Sequence, residues 1–291
     1  MQQQLLYNPE PPARARRSSP SNSFSDLDLE NWRDYDDIIT ESLWLLGSRD
    51  RSGPHCGDYH GNFVPQIAQQ VIKRFTKTGE VVVDLFSGMG TTMIECKRLG
   101  RYGIGVELQE AVNRNAGTRI DDASGPEGTQ VDLITGDSRT EATAKEIVSR
   151  LNSWGFTMCH HVVLHPPYWD IIRFTGGEDA ADLSNAPTEE DFYGQFRQVV
   201  QRAWTLLHPG RFMTLVIGDK YSNSEWVPLG FECMNVCREV GFRLKAINVK
   251  DIQGNEKGKG KNSNLWKYRA LRHGLYIFKH EYVMIFKKPA E

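Results

Sequence analysis

Short apolar runs alternate with amphipathic stretches from residue 64 onward. Runs rich in Val, Ile and Leu predict buried strands, at 81–85, 102–108, 131–134, 161–164, 212–217, 242–249 and 275–286. Apolar positions three and four residues apart predict helices between them, over 64–79, 91–100, 141–151, 189–206 and 226–240. This alternation predicts an α/β fold with a doubly wound, mostly parallel sheet of seven strands, in which the last two strands form an antiparallel hairpin.

The first 54 residues have a different pattern from the rest. Residues 1–25 are rich in Gln, Pro, Ser and Arg and have little apolar periodicity, which predicts a disordered tail. Residues 26–54 predict a helical N-terminal extension, because the pattern over 36–46 is typical of a short helix that ends at Gly47. The main domain is therefore predicted to span residues 55–291.

A glycine-containing loop directly follows the first buried strand, in VVVDLFSGMGTT at residues 81–92. In an open α/β sheet, ligands bind beyond the carboxyl ends of the strands. The loop lacks the Gly-Lys-Ser/Thr ending of a phosphate loop and has no basic residue at its turn. Instead Asp84 ends the strand, and a carboxylate there suits a cationic amino group better than a pyrophosphate.

Two further acids follow the next two strands. Glu107 ends the second strand, 23 positions after Asp84, close to the spacing of about 20 residues at which such an acid meets ribose hydroxyls. Asp137 follows the third strand in Gly136-Asp137-Ser138, where it could meet an adenine edge. Sites for an amine, a ribose and a purine, without a phosphate site, indicate S-adenosylmethionine.

The tetrapeptide His165-Pro166-Pro167-Tyr168 follows the fourth strand. Its prolines remove two N–H donors, so that carbonyl oxygens and the first side chain remain as acceptors beside an aromatic ring. Methylation of an exocyclic base amine needs such acceptors, because they draw the conjugated lone pair out of the ring before in-line attack. Tyr168 could stack on a base that has been extruded from its helix.

These motifs resemble those of the S-adenosylmethionine-dependent DNA amino-methyltransferases, which modify cytosine N4 or adenine N6. DLFSGMGTT is similar to their cofactor loop, HPPY to their catalytic motif, and HGNFVPQ (residues 60–66) to the segment that closes over the methionine end. The resemblance covers residues 55–289 and implies a Rossmann-like methyltransferase fold. The predicted catalytic residues are His165, Pro166, Pro167 and Tyr168. The predicted cofactor-binding residues are Tyr59, His60, Asn62, Phe63, Asp84, Phe86, Ser87, Gly88, Gly90, Thr91, Thr92, Glu107, Leu108, Asp137 and Ser138.

His165 departs from the pattern of this family, which usually has Asp, Asn or Ser at that position. A neutral imidazole can accept the amine proton, and with an ordinary pKa of about 6.5 it could also remove it. We therefore expect activity to fall at acidic pH as His165 is protonated. The overall likeness of HPPYWD and the later strands favours cytosine N4. Adenine N6, an RNA base and a non-catalytic cofactor-binding subunit stay open as alternatives.

The charge of the chain is unevenly distributed. The 291 residues carry a formal net charge of −2, which by itself argues against a polyanionic partner. From Arg243 onward, however, twelve cationic residues face four anionic ones. Cations interleaved with aromatic residues in an insertion over 251–274 suit a nucleic-acid groove, with DNA preferred to RNA. The predicted nucleic-acid-binding residues are Lys257, Lys259, Lys261, Trp266, Lys267, Arg269 and Arg272.

The remaining composition adds expectations about location and partners. No apolar run approaches the roughly 20 residues that cross a bilayer, and the N-terminus lacks the apolar region of a secretory signal, so we expect a soluble, cytoplasmic protein of a prokaryotic or phage-like context. The Cys and His residues near 55–60 and 159–161 do not match zinc-ligand spacing, so no metal is predicted. The resemblance allows a cognate restriction endonuclease as a partner and leaves the oligomeric state open.

Overall fold

A computed structural model describes residues 24–252 and 263–290, with the side chains of the last helix described from residue 267. Its strands are β1 (Leu43–Trp44), β2 (Val81–Asp84), β3 (Tyr102–Glu107), β4 (Val131–Thr135), β5 (Cys159–Leu164), β6 (Leu207–Ile217), β7 (Lys220–Ser222), β8 (Glu225–Val227), β9 (Arg243–Asp251) and β10 (His280–Lys287). Its helices are α1 (Pro65–Phe75), α2 (Thr91–Arg98), α3 (Glu110–Asp121), α4 (Glu141–Ser153), α5 (Glu189–Leu206), α6 (Leu229–Val240) and α7 (Ser263–His273).

The main sheet has the strand order β1-β9-β10-β6-β5-β2-β3-β4. Strands β2 to β6 pair in parallel, and β10 lies antiparallel between β6 and β9. This arrangement confirms the predicted Rossmann-like methyltransferase fold, with its seven strands and its antiparallel β9–β10 hairpin. An eighth strand, β1, adds to the edge in parallel with β9, and β7 and β8 form a separate two-stranded ribbon.

The sheet has a hydrophobic core on each face. All four residues of β2 are buried, and its side chains alternate between the faces. Val81 and Val83 pack into a cluster with Phe192 and Phe196 of α5. Val82 packs into a second cluster with residues of α1 and α2. Helices therefore cover both faces, as expected for a parallel sheet.

The N-terminal extension does not contain the helix predicted over 36–46. It forms a short 3-10 turn at Trp32–Asp34 and the strand β1. Side chains of α1 bind its backbone instead, because Gln70 accepts from the Ile39 amide at 2.8 Å and donates to the Asp37 carbonyl at 2.5 Å. Arg74 also donates to the Ile39 carbonyl at 2.9 Å. These bonds use backbone groups that a helix would pair internally, so the prediction of a helix here is wrong.

The end of the predicted disordered tail is also fixed in place. The ring of Phe24 lies 4.8 Å from that of Phe212 and 6.3 Å from that of Phe75, and Ser25 is buried. The prediction is therefore wrong for residues 24 and 25. Residues 1–23 lie outside the described part of the chain.

Two helices were not predicted: α3, which packs Ala116 and Ile120 inward, and α7, which lies in the predicted basic insertion. In the described ranges, 24–252 and 263–290, we find no helix whose length and apolar content would let it cross a membrane.

Candidate cofactor and catalytic site

A cavity of about 280 Å³ opens at the carboxyl ends of β2 to β5. It is bounded by the loop after β2, the ends of β3 and β4, the residues after β5 and the segment before α1. The predicted residues that line it are Tyr59, Asn62, Phe63, Phe86, Ser87, Gly88, Thr91, Glu107, Leu108, Asp137, Ser138, His165, Pro166, Pro167 and Tyr168. The fold thus brings the cofactor loop and the tetrapeptide into one cavity.

The loop after β2 is anchored to the end of β3 by Glu107. The Gly88 amide donates to Glu107 Oε2 at 3.1 Å, and the Gln109 amide donates to Oε1 at 2.9 Å. Burial raises the pKa of Glu107, and these backbone hydrogen bonds oppose the shift. Gly88 has a φ of +50°, a conformation that side-chain-bearing residues rarely adopt. The glycine is therefore required by the turn itself.

The cofactor end of the cavity presents polar groups that lack a protein partner. Among the described residues, Ser87 Oγ and Asn62 Nδ2 are buried without a hydrogen bond. Buried polar atoms are rarely left unsatisfied, so a polar ligand is the expected partner. Burial raises the pKa of the nearby Tyr59 phenol to about 12, which keeps its hydroxyl protonated and able to donate. This set of groups fits the amino, ribose and base parts of S-adenosylmethionine.

Four predicted cofactor residues do not line the cavity. Asp84 is buried beneath the loop, where it accepts from Thr92 Oγ1 at 2.5 Å and from the Phe86 amide at 2.9 Å. Burial raises the pKa of Asp84 to about 6. Gly90 packs near Ile120, and His60 is exposed. Asp84 and Thr92 therefore shape the turn of the loop from behind, and the expectation that Asp84 holds an amino group directly is corrected.

The third predicted acid, Asp137, is fixed at the cavity wall by an ion pair. Arg139 donates to both of its oxygens, with Nε at 3.0 Å and Nη2 at 2.8 Å. The next residue, Ser138, donates from Oγ to the Leu85 carbonyl at 2.6 Å. This bond joins the end of β4 to the cofactor loop.

The His165 side chain enters the cavity directly after β5. Its ring meets those of Phe63 and Tyr168 edge-on, at centroid distances of 5.1 and 5.7 Å. Within the described residues, neither ring nitrogen has a hydrogen-bonding partner. Burial lowers the pKa of His165 to about 4, while Glu281 acts in the opposite direction and Lys250 in the same one. The imidazole is therefore neutral at pH 7, and its protonation is expected near pH 4 rather than near its ordinary pKa.

The Tyr168 ring is held by residues that the sequence analysis did not single out. Its phenol donates to Glu281 Oε2 at 2.9 Å, and Lys250 Nζ donates to Glu281 Oε1 at 2.9 Å. Gly218 lies against the ring, since a Cβ there would stand 2.8 Å from Tyr168 Cε2. No local pattern marked Lys250 and Glu281, because their pairing depends on the register of β9 against β10.

Apolar residues from the segment after the tetrapeptide complete the wall on this side. Ile171, Ile172 and Phe174 line the cavity. The segment is fixed by Asp182, which accepts from the amide and the hydroxyl of Thr175, each at 2.9 Å. The end of the cavity around Tyr168, called the base end below, therefore combines an aromatic ring, apolar walls and a neutral imidazole.

The predicted nucleic-acid-binding residues lie away from the cavity or outside the described residues. Lys267, Arg269 and Arg272 are exposed on α7. Just beyond the helix, the exposed residue Tyr276 donates its amide to the Tyr221 hydroxyl of the β7–β8 ribbon at 3.1 Å. This bond joins the segment after α7 to the ribbon. Lys257, Lys259 and Lys261, and the side chain of Trp266, lie outside the described part of the chain.

Comparison with known proteins finds relatives that match part of the chain. The N6_N4_Mtase family model, described as DNA methylase, matches residues 11–116. The type II methyltransferase M.MjaII of Methanocaldococcus jannaschii is 36% identical over 68 residues, which are 22% of this chain and only 12% of that relative. The matches confirm the resemblance to the S-adenosylmethionine-dependent DNA amino-methyltransferase family. The sheet order, the cavity and the partial family match together support S-adenosylmethionine as the cofactor of this site.

Solved structures with similar folds include two S-adenosylmethionine-dependent methyltransferases. One is a TehB-like protein from Corynebacterium glutamicum, at 13% identity and a TM-score of 0.43, covering 76% of this chain and 87% of that one. The other, from Methanosarcina mazei, has 11% identity and a TM-score of 0.47, covering 76% and 98%.

Proposed function

We propose that this chain transfers a methyl group from S-adenosylmethionine to the exocyclic amino group of a base in DNA, with cytosine N4 as the preferred target. One observation carries the proposal. The tetrapeptide from His165 to Tyr168 and the cofactor loop line the same cavity. Bound at the loop, the cofactor supplies an electrophilic methyl group, so an amine held by the tetrapeptide would lie within reach of it.

The residues of the tetrapeptide activate the amine by accepting hydrogen bonds from its N–H groups. Pro166 and Pro167 have no N–H, so the backbone there offers carbonyl acceptors without competing donors. The His165 ring nitrogens are free of protein partners among the described residues, and one of them can accept a further hydrogen bond. Because burial lowers its pKa to about 4, His165 is too weak a base to remove the proton before attack. We therefore assign it the role of a hydrogen-bond acceptor.

The shape of the base end supports extrusion of the target base. A base within a duplex cannot reach the floor of a cavity, so the nucleotide must leave the stack. Tyr168 offers a ring for stacking, and Ile171 and Phe174 offer apolar walls. The hydrogen bond from the Tyr168 phenol to Glu281 fixes the ring before a base enters.

The family match and the exposed cations support the choice of polymer and partners. The matched family model describes DNA methylases, which favours DNA over RNA. Lys267 and Arg272, which are exposed on α7, would contact phosphates of the DNA at a distance from the cavity. The matched relative is a type II methyltransferase, so a role in restriction-modification with a cognate endonuclease is part of this proposal. Adenine N6 is the second candidate target, since the matched family name covers both amines.

Transfer of labelled methyl groups to nucleic acid tests the proposal. The chain would be incubated with methyl-labelled S-adenosylmethionine and either DNA or RNA, followed by nucleoside analysis. The expected product is N4-methylcytosine in DNA, and His165→Ala should lose most turnover while still binding the cofactor. His208→Ala is a matched control, because His208 lies at the opposite end of the sheet against His160.

Each other result would change the assignment. N6-methyladenine would move the target to adenine, and label in RNA alone would change the polymer. An absence of label in both polymers, with cofactor still bound, would mean a non-catalytic subunit. Unchanged turnover in His165→Ala would refute the role of that residue.

A further inference from the structure

Two buried charged residues lie at the base end of the cavity, and so far only Glu281 has a role, which is to fix the Tyr168 ring. Lys250 is 6% exposed and Glu281 is 8% exposed, and both line the cavity. They are directly paired across β9 and β10. Burying an ion pair is costly, and a hydrophobic pair of the same volume often stabilises a protein equally well. The pair therefore calls for a functional explanation.

The two members of the pair differ in their remaining hydrogen-bonding capacity. Glu281 accepts from the Tyr168 phenol on one oxygen and from Lys250 on the other. An ammonium group has three N–H donors, and within the described residues Lys250 uses one of them, on Glu281. Two donors at the cavity wall therefore have no acceptor in the ranges 24–252 and 263–290 and can bind an acceptor on a ligand.

The two candidate bases differ in whether they offer an acceptor to this donor. Cytosine and adenine both present an exocyclic amine next to a ring nitrogen. Cytosine also has a carbonyl oxygen, O2, on the far side of that nitrogen, where adenine has only a C–H group. A site built to donate a hydrogen bond discriminates against a substrate that lacks the acceptor.

We propose that Lys250, held by Glu281, donates a hydrogen bond to the O2 carbonyl of the extruded base and thereby selects cytosine over adenine. This inference rests on the proposed function and adds the residue that determines base specificity. Glu281 is then a positioning residue, because one carboxylate orients both the ammonium group and the Tyr168 ring.

Removal of the donor and weakening of the acceptor test the proposal together. The donor is removed in the Lys250→Met variant. The acceptor is weakened in random-sequence duplex DNA in which 2-thiocytosine replaces cytosine, so that sulfur stands in place of O2. Hydrogen bonds to charged groups are typically strong enough that we expect kcat/KM on cytosine to fall about 10- to 100-fold in the variant. The wild-type protein should also lose about tenfold or more on the thio-substituted DNA. The variant should be nearly insensitive to the sulfur, because it no longer has the donor.

A second buried lysine provides the matched control. Lys220 is also 6% exposed and is ion-paired, with Asp170, but it does not line the cavity. Lys220→Met should therefore keep the wild-type sensitivity to 2-thiocytosine. Affinity for S-adenosylmethionine, measured by calorimetry, should be unchanged in Lys250→Met, since the lysine lies at the base end.

The outcomes separate this inference from the proposed function. If the wild-type protein methylates no nucleic acid, the proposed function fails and the inference fails with it. If it methylates cytosine but loses nothing on 2-thiocytosine, only the inference is overturned, and this result does not depend on whether the variant folds. Equal sulfur sensitivity in Lys250→Met and wild type would also overturn it.

Discussion

Gly218 offers a direct test of how closely the Tyr168 ring must be placed. A Cβ at this position would lie 2.8 Å from Cε2, 3.4 Å from Cδ2 and 3.6 Å from Cζ of Tyr168. Non-bonded carbon atoms normally approach to about 3.5 Å, so in Gly218→Ala the ring must move by roughly 0.7 Å. Gly218 is not among the residues with positive φ, so alanine fits the backbone itself.

The size of the effect follows from that displacement. A shift of this size pulls the Tyr168 phenol away from Glu281, which it now meets at 2.9 Å. Misplacement by about 1 Å in an active site can cost about 100-fold in rate, so we expect kcat for methyl transfer to fall about 10- to 100-fold. Affinity for S-adenosylmethionine should not change, because Gly218 does not line the cavity.

Steady-state methyl transfer at saturating DNA and cofactor would measure kcat, and calorimetric titration would measure cofactor affinity. Gly194→Ala is the control, since a Cβ on that residue of α5 meets no atom within 4 Å. It should keep full activity and gain about 0.5–1 kcal/mol of stability from the helix propensity of alanine. Wild-type kcat in Gly218→Ala, or an equal loss in Gly194→Ala, would refute the argument.

Two histidines and the cations of α7 can be tested in the same way. Because burial lowers the pKa of His165 to about 4, initial rates of methyl transfer should stay level as the pH falls to 5, while the protein remains folded. An inflection in the rate near pH 6.5 that is absent in His165→Asn would contradict this prediction. His161 is fully buried and its pKa is lowered to about 3. As the pH falls, this imidazole is therefore protonated in the unfolded chain before it is protonated in the folded one. The free energy of unfolding decreases below about pH 6.5, by roughly 2 kcal/mol between pH 7 and pH 5. In His161→Gln, the free energy of unfolding in urea should depend less on pH, by about that amount. A pH dependence equal to that of the wild type would contradict this prediction. Replacing Lys267 and Arg272 with Ala should reduce the slope of log affinity for DNA against log salt by up to about 2, and an identical slope would exclude phosphate contacts there.

The central sheet was predictable because its strands are buried on both faces. Val81 to Asp84 form an unbroken apolar run that ends in an acid, and such a run is visible without any knowledge of partners. Helix α3 was missed because only Asn113, Ala116 and Ile120 are buried, which leaves a weak periodic signal. The N-terminal extension was misjudged for a different reason. Its backbone partners, above all Gln70, lie about 30 residues away and leave no trace in the local pattern.

The candidate site was predictable where function coincides with the end of a parallel strand. Glu107, Asp137 and His165 each follow or end a strand, and the topology alone brings them together. The direction of a side chain was not predictable, and Asp84 turns beneath its own loop toward Thr92. The pairing of Lys250 with Glu281 was also beyond reach, because it depends on the register of β9 against β10.

The short strand β1 protects the edge of the sheet. Unpaired strand edges are templates for pairing with other chains, and β1 covers β9 at Val249 and Lys250, where the Val249 amide donates to the Ser42 carbonyl at 2.7 Å. The rest of β9 presents the exposed residues Arg243 and Lys245, whose charge discourages such pairing. Proteolytic trimming of the extension would therefore expose the backbone edge at Val249 and Lys250, so the trimmed protein should aggregate more readily than the intact one.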